Sequence, residues 1–545
     1  MAKRKVFFLS LFLLLLTVPF TLFVAFNKQD IREEAQTAVT ITVDLSSPLM
    51  VNKLGPGANI IHTDEVAYTA AGKQAIKGSM TYLATHIMGF GTDNPNPSPG
   101  QYNWSSIDKN VQLMKDTGAT KMITLCCAPD WMKGGKAGQT NWDDLEKAPL
   151  PADYKDFAAL SKQVAQRYPD VEYFQVWNEL KGFWNNSANR WDYEGYTAMY
   201  NQVYDAIKSV RPNAKVGGPY NILMMEDPRY MEVITYWLKN KKGADFLVTD
   251  GGPAPPSSAA QEFTGAKAFT DFSTWLRKQP GGESLPFGWA EWYPRTSGQK
   301  YDANHFNAII ANNYMETMKA GSTYILMWGM QGDSQGLTGD PGNPEAIMTN
   351  TGKTTPVYTT MKAFKDFFPA GTQLYKTTSS SSNVSVVASK TKAILVNKQG
   401  TAQTVTLNGK QVSLTAYQVA VVDLSGGGTV PTTAQTPSPT VVSPTLYCLG
   451  TTCPTLPVSS APTTGVTQIP TVSVAPSQAE ETPPIEPTAA PEETVTPTPA
   501  TPGGNTDRRG LLIRLLDLII EFLDDKKRPD KIRTDSVLFK AQVST

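Results

Sequence analysis

The chain has 545 residues, of which 40% are hydrophobic, and its 49 basic and 49 acidic side chains give a formal net charge of zero. This length allows a large buried core with smaller units beside it. The balanced charge provides no field that would attract nucleic acid, so we predict no nucleic-acid partner. Four Cys and three His are too few for a convincing zinc site, and we predict no metal and no cofactor.

The first segment, residues 1–37, resembles an export signal. Lys3, Arg4 and Lys5 precede an apolar run at positions 6–26, and a polar stretch follows. A basic flank before a long apolar run is typical of secretory signals, and this run is long enough to span a bilayer. We expect the chain to be exported, either cleaved and secreted or held at the cell surface by an uncleaved membrane anchor, with the rest of the chain outside.

Residues 38–370 alternate short apolar runs with amphipathic helical patterns. In the predicted helix at 153–167, Phe157, Leu160 and Val164 recur at helical spacing. Eight strand-like runs in about 330 residues fit a (β/α)₈ TIM barrel, the predicted α/β fold class, better than an open sheet. These runs are 54–61, 82–89, 121–127, 171–177, 215–218, 246–249, 286–290 and 324–330.

The chain beyond the barrel changes composition three times. Short β-branched runs predict a small C-terminal all-β domain over residues 371–425. Residues 426–506 are rich in Pro, Thr and Ser, which predicts an extended linker without a core. Residues 507–527 predict a short amphipathic helix, and its apolar part at 511–523 is a candidate for interfacial contact or self-association, before a polar tail at 528–545.

The four cysteines form two pairs that are close in the sequence. Cys126 and Cys127 lie in an apolar run and are predicted to be buried. Cys448 and Cys453 are candidates for a small disulfide loop in an oxidising compartment.

Two glutamates stand where predicted barrel strands end. The fourth strand runs into Trp177, Asn178 and Glu179, and the seventh runs into Glu291. The carboxyl ends of barrel strands share one face, where catalytic residues of this fold lie. Two carboxyl groups on either side of one sugar ring are what glycoside hydrolysis requires, with one as proton donor and one as nucleophile. We therefore predict Glu179 as general acid/base and Glu291 as nucleophile of a retaining glycosidase.

The segment from Phe174 to Trp184, with its Trp-Asn-Glu motif, resembles the acid/base segment of the family 39 glycoside hydrolases, the β-xylosidase and α-iduronidase group. The resemblance extends over roughly residues 50–425 and implies a barrel that cleaves β-linked oligo- or polysaccharides. It also implies that Asn178 binds the sugar 2-hydroxyl and that Trp328 forms the floor of the sugar site.

Two departures from the family pattern concern candidate site residues. The second strand normally ends in an arginine; here it carries His86, either a partial substitute or a structural histidine. The sixth strand ends in Asp250 where the family has a histidine, and Asp250 is expected either to contact sugar hydroxyls or to raise the pKa of Glu291. These departures leave a second hypothesis, a non-catalytic glycan-binding or adhesin-like surface protein on a glycosidase barrel.

Aromatic residues near the predicted strand ends are candidate platforms for stacking against sugar rings. A single tryptophan more often packs in a core, but several on one barrel face favour carbohydrate binding. The candidates are Trp131, Trp184, Trp292, Tyr293 and Trp328.

Overall fold

The computed structural model describes residues 38–223, 225–250, 262–292, 302–332, 346–425 and 446–448. These residues belong to one compact unit. The predicted signal segment, the amphipathic helix, the polar tail, Tyr293 and Cys453 lie outside the described residues. Of the predicted linker only residues 446–448 are described, and they form a strand of a sheet, which its composition did not predict. Among the residues described, no helix combines the length and the apolar character needed to cross a bilayer.

Eight parallel strands close into a barrel, which confirms the predicted fold class. Each pairs in parallel with its neighbours, and the last strand pairs with the first. Seven match their predicted runs to within a few residues, while the fifth extends further, to Ile222. In barrel order the strands are β2 (Gly55–Asn59), β3 (Tyr82–His86), β4 (Thr120–Leu125), β5 (Tyr173–Val176), β8 (Lys215–Ile222), β9 (Phe246–Asp250), β10 (Phe287–Trp289) and β11 (Tyr324–Trp328).

Eight α-helices are described around these strands, and their apolar faces form the main core. In α3 (Tyr154–Arg167), the side chains of Phe157, Leu160 and Val164 are buried, as their spacing predicts. The N-caps of α4 (Tyr193–Val210) and α5 (Pro228–Asn240) are Asp192 and Asp227, whose side chains accept hydrogen bonds from backbone N–H groups. The helices are α1 (Ala70–Ser79), α2 (Ser105–Thr117), α3 (Tyr154–Arg167), α4 (Tyr193–Val210), α5 (Pro228–Asn240), α6 (Lys267–Leu276), α7 (Ala303–Lys319) and α8 (Pro356–Phe367).

The barrel interior is packed with aromatic side chains rather than open. Tyr82, Tyr173 and Tyr324 meet there with ring centroids 5.7–6.2 Å apart. The Tyr324 hydroxyl donates to Gln175 Oε1 at 3.1 Å, so this buried polar group is paired. The filled interior leaves no room for a ligand inside the barrel, and in this fold catalytic residues lie at the barrel mouth.

The second domain is a β-sandwich. Its first sheet contains β14 (Gln373–Ser379), β1 (Val39–Val51), β17 (Gln403–Leu407) and β18 (Lys410–Leu414). Its second sheet contains β15 (Val384–Ala388), β16 (Lys392–Asn397), β19 (Val419–Asp423) and β20 (Leu446–Cys448).

The strand β1 corrects the predicted domain boundary. The sequence predicts that residues 38–370 form the barrel. The strand β1 lies within this range, but it pairs with β14 and β17 of the sandwich. Its alternating pattern buries Val39, Ile41 and Val43 in the sandwich interior. The chain thus enters the β domain before the barrel starts, a pairing over more than 300 residues that no local pattern reveals.

The second sheet is buried on both faces, which joins the sandwich to the barrel. In β16, Ile394 and Val396 belong to the main core, whereas Ala393 and Leu395 belong to the sandwich interior. Successive residues of a strand point to opposite faces, so one strand contributes to two cores. The sandwich is therefore an integral part of the described unit.

Short two-residue strands complete the described β structure. The arm after β5 contains β6 (Trp184–Asn185) and β7 (Arg190–Trp191), which pair antiparallel. Near the eighth barrel strand, β12 (Gln331–Gly332) pairs with β13 (Met348–Thr349). The first of these pairs forms part of the barrel mouth.

The vicinal cysteines lie directly after the third barrel strand. The structure confirms that Cys126 and Cys127 are buried and adds that they are bonded to each other. A disulfide between Cys448 and Cys453 stays a prediction, because Cys453 lies outside the described residues.

Candidate active site

The two predicted catalytic glutamates lie at the ends of the fourth and seventh barrel strands. Glu179 follows β5 in a tight turn where Trp177, Glu179 and Leu180 all have φ between 49° and 76°. Non-glycine residues rarely adopt this left-handed conformation, and clusters of such strain are typical of functional sites. Glu291 lies two residues beyond β10 and is only 3% exposed.

A third carboxyl group, that of Asp250, joins them. One oxygen each of Glu179, Asp250 and Glu291 lies within 4.8 Å of the other two. Three full negative charges at this separation in a buried site would repel one another strongly, so the cluster favours retaining a proton. Carboxylate oxygens at this spacing also match the ligands that a divalent cation prefers, so these are the described residues that could hold one.

The hydroxyl of Tyr220 donates to Glu291 Oε1 at 2.8 Å. Tyr220 is fully buried at the end of the fifth strand, and burial together with Glu291 raises its pKa well above the usual value. The hydroxyl therefore remains protonated. A donated hydrogen bond stabilises the ionised form of a carboxylate, which is the form a nucleophile needs.

Two side chains, the acidic Asp250 and the basic Lys181, interact with Glu179. Burial alone would raise its pKa, but a hydrogen bond with Asp250 and the positive charge of Lys181 outweigh burial and lower the pKa. Lys181 Nζ contacts Glu179 Oε2 and lies 3.0 Å from Glu146 Oε1. Because ionised carboxylates carry no hydrogen, a bond between Glu179 and Asp250 requires one shared proton.

Both polar atoms of the Asn178 side chain have partners within the protein. Its Nδ2 donates to Glu146 Oε1 at 3.0 Å, and its Oδ1 lies 3.3 Å from His86 Nε2. Burial lowers the pKa of His86 to about 4, although the hydrogen bond with Asn178 opposes this shift. His86 is therefore neutral near neutral pH and does not replace the charge of the family arginine; it orients Asn178.

A cleft of about 660 Å³ lies beside Glu179. One wall is the segment 142–147, which follows the third strand, and the other is the arm at 179–191. The two walls are in direct contact at Gly182, where a Cβ would overlap the backbone of Glu146 and Ala148. Gly182 also has φ of 79°, so glycine is required there for two separate reasons.

The aromatic candidates divide into three groups. Trp184 is 37% exposed and lines the cleft, while Trp328 is half-buried beside Phe90 and His86. Trp131 is partly buried, and its Nε1 donates to Asn96 O at 2.9 Å, which fixes the ring. Trp292 is 1% exposed and packs in the main core, so the prediction that its ring offers a sugar platform is not supported.

Four residues of this site were not singled out from the sequence. Tyr220 follows directly after the Gly-Gly-Pro segment of the fifth strand, which offered a local signal. Trp142, Glu146 and Lys181 belong to loops, where no periodic pattern marks a residue as functional. Lys181 is close to Glu179 in the sequence, whereas Trp142 and Glu146 reach the site through the contact between the two loops.

Residues 81–411 match the family model of glycosyl hydrolases family 39. The match includes both glutamates and more than half of the chain. The chain belongs to glycosyl hydrolase family 39. As a family 39 member it is a glycoside hydrolase, and a carbohydrate is its substrate.

Solved structures with the same fold are distant in sequence. SrfJ from Salmonella typhimurium has a TM-score of 0.52 at 14% identity, over 69% of this chain and 90% of that one. A conserved exported protein from Bacteroides fragilis has a TM-score of 0.52 at 12% identity, over 71% of this chain and 100% of that one. A family 39 enzyme from Xanthomonas axonopodis pv. citri has a TM-score of 0.48 at 18% identity, over 67% and 76%. At these identities, the two structures with TM-scores of 0.52 show the fold alone.

Replacing Gly182 with alanine is expected to destabilise this family 39 enzyme and to impair turnover. The added Cβ forces the arm away from segment 146–148. Gly371→Ala is the matched control, because Gly371 also has positive φ but a Cβ added there would have no atom within 4 Å. We expect about 1 kcal/mol of destabilisation for the control and roughly 2–3 kcal/mol or more for Gly182→Ala, measured by thermal unfolding. Equal melting temperatures for Gly182→Ala and Gly371→Ala would show that the two loops can separate without loss of stability.

Replacing Lys181 with methionine is expected to move the basic limb of the pH dependence of kcat/KM to higher pH. The positive charge lowers the pKa of Glu179, so its removal allows the carboxyl group to keep its proton at higher pH. Lys147→Met removes a charge from the same cleft and serves as the control. A basic limb that stays in place in the Lys181 variant would mean that another group sets it.

Proposed function

We propose that this glycosidase hydrolyses β-glycosidic bonds with retention of configuration. Glu179 is the general acid/base and Glu291 is the nucleophile. The observation that carries the proposal is the close approach of their oxygens, within 4.8 Å. Retaining enzymes hold their carboxyl groups about 5–5.5 Å apart, whereas inverting enzymes leave room for a water at about 6.5–9.5 Å.

The proposed reaction has two displacements. A Glu291 oxygen attacks the anomeric carbon while the bond to the leaving oxygen breaks, and that oxygen takes a proton from Glu179. Water then attacks the glycosyl-enzyme ester and gives its proton to Glu179, which releases Glu291 and the sugar. Tyr220 keeps Glu291 ionised and in position. The first step requires that the proton of the Glu179–Asp250 pair is on Glu179 when the leaving oxygen departs.

Two further residues have proposed roles around the sugar that is cleaved. Asn178 is fixed by His86 and Glu146 beside the acid/base, where it can contact the 2-hydroxyl group. Trp328, at the end of the eighth strand, would form the floor of the sugar site. Asp250 acts mainly through its bond with Glu179 rather than as a ligand for sugar hydroxyls.

The test is the configuration of the first product. The full chain is incubated with 4-nitrophenyl β-glycosides of xylose, glucose, galactose and related sugars, and proton NMR follows the released sugar. A β-anomer that appears first and then mutarotates is the expected result. An α-anomer formed first would overturn the retaining mechanism, and inactivity on every aryl glycoside and polysaccharide tested would favour the glycan-binding alternative.

We also propose that the enzyme acts outside the cytoplasm. The basic residues Lys3, Arg4 and Lys5 and the apolar run at 6–26 support export and a membrane anchor. The residues 511–523 are a proposed site of self-association or membrane contact. External protease that removes the barrel from intact cells, but not from cells expressing a chain without residues 1–37, would support the proposal; protection of both would contradict it.

A further inference from the structure

The cleft beside Glu179 has a definite position relative to the two catalytic groups. Glu179 lines it, whereas Glu291 and Asp250 are 3% and 1% exposed and do not. The general acid of a glycosidase borders the leaving group, and the nucleophile lies against the sugar that it attacks. A cleft that reaches the acid and not the nucleophile is therefore on the leaving-group side of the bond that breaks.

Two tryptophans give this cleft faces suited to a sugar ring. Trp142 is 50% exposed and Trp184 is 37% exposed, although both are large apolar side chains. Exposed aromatic rings grouped in a cleft are typical of binding surfaces. Both line the cleft, Trp142 from segment 142–147 and Trp184 from the arm.

The ring of Trp184 is held in place before any ligand arrives. Its centroid lies 4.8 Å from that of Trp191, at an angle of 80°. Its Nε1 donates to Asn186 Oδ1 at 3.1 Å, within the short β6–β7 hairpin. A ring that is already oriented loses little conformational entropy when a ligand stacks on it.

The wall that carries Trp142 is also fixed to the catalytic segment. Lys133 Nζ donates to Asp144 O at 2.8 Å, and Glu146 bonds to both Asn178 and Lys181. These contacts tie the position of the Trp142 wall to that of Glu179. A ligand in the cleft would thus be positioned with respect to the proton donor.

The charges that line the cleft are predominantly acidic. Asp143, Asp144 and Glu146 stand with Glu179 against Lys147 and Lys181. Lys181 is already paired with Glu179 and Glu146. The guanidinium carbon of Arg229 lies 5.4 Å from the centroid of the Trp184 ring, and this cation is paired with Asp227. A ligand with a carboxylate would meet net repulsion here, whereas an uncharged sugar would not.

We propose that this cleft binds an uncharged sugar unit on the leaving-group side, in contact with Trp142 and Trp184. The substrate is then a neutral oligosaccharide or polysaccharide with at least one sugar beyond the cleaved bond, rather than a glycoside of a small alcohol. The inference rests on the proposed function, because it takes Glu179 as the proton donor.

The test compares substrates that share a glycone and differ in the leaving group. For the sugar that the enzyme accepts as 2,4-dinitrophenyl β-glycoside, kcat/KM is also measured on the β-linked disaccharide, its reduced alditol and its aldonic acid. The proteins are the wild-type full chain, Trp142→Ala, Trp184→Ala and the control Leu49→Ala. Leu49 is an exposed apolar residue of β1 in the sandwich, away from the barrel mouth.

Each tryptophan variant is expected to lose about 3- to 10-fold more kcat/KM on the disaccharide than on the aryl glycoside. Leu49→Ala is expected to match the wild type on both. The leaving group of the alditol and that of the aldonic acid are both open chains, and they differ in the carboxylate. We expect slower turnover of the aldonic acid, and this difference in rate measures the effect of the charge alone.

Two results would overturn the inference. Losses of equal size on disaccharide and aryl glycoside, or no loss, would mean that the tryptophans do not bind the leaving group. Equal turnover of alditol and aldonic acid would overturn the assignment to uncharged sugars. Failure of the proposed function looks different, because the wild type would then turn over neither class of substrate or would retain activity in the Glu291→Gln variant.

Discussion

Glu291→Gln is expected to lower kcat on aryl β-glycosides on the order of 10⁴- to 10⁶-fold, the scale seen when an enzyme loses its nucleophile. The amide has nearly the same shape and can still accept the hydrogen bond from Tyr220, but it cannot form the glycosyl ester. The loss should be similar for good and poor leaving groups, because every substrate passes through that ester. Release of nitrophenolate measures it.

Glu172→Gln provides the control for Glu291→Gln. Glu172 is exposed, lies immediately before β5 at the far end of the same barrel, and loses the same charge in the variant. It should keep wild-type turnover. If Glu291→Gln retained more than about a hundredth of the wild-type rate, the nucleophile would have to be another group, and Asp250 would be the first to examine.

Glu179→Gln is expected to reduce turnover about 10²- to 10⁴-fold on substrates with poor leaving groups, the usual contribution of a general acid. The reduction in bond cleavage should be much smaller with 2,4-dinitrophenyl glycosides, whose leaving group needs no proton. Added azide should then restore turnover by attacking the glycosyl-enzyme in place of base-activated water, with the glycosyl azide as the product. Turnover and product are followed by absorbance and by NMR.

Asp250→Asn is the matched variant for this experiment. It also removes a carboxyl group from the cluster, and the hydrogen bond between Asp250 and Glu179 makes some loss of activity expected. Azide should not restore it, because Glu179 remains to activate water. Rescue of Asp250→Asn but not of Glu179→Gln would assign the acid/base role to Asp250 instead.

The catalytic pair illustrates what can be predicted locally. Two of the predicted strands lead into a glutamate, Glu179 after the fourth strand and Glu291 after the seventh. Eight strands that alternate with helices imply a closed barrel, which the structure confirms. The closed barrel then places both carboxylates at one mouth, so the site could be located without coordinates. The helices were equally accessible, because the spacing of Phe157, Leu160 and Val164 follows directly from the helical repeat.

Contacts between segments that are distant in the sequence could not be predicted from local patterns. Nothing local marks β1 as a partner of β14 and β17, since alternation shows which residues are buried but not against which sheet. Trp292 shows the same limit, because its position beside Glu291 suggested a sugar platform while packing places it in the core. The burial of a side chain depends on all the residues packed around it, and most of these are distant in the sequence.

The sequence by itself determined the barrel, the two glutamates at its mouth and the resemblance to family 39, because each depends on a periodic pattern or a short contiguous motif. Only the tertiary structure decided the electrostatics of the site. Lys181 and Asp250 set the protonation of Glu179, Tyr220 holds Glu291, and the neutral His86 orients Asn178. These effects depend on distances of a few ångströms between different strands and loops, and burial determines their strength.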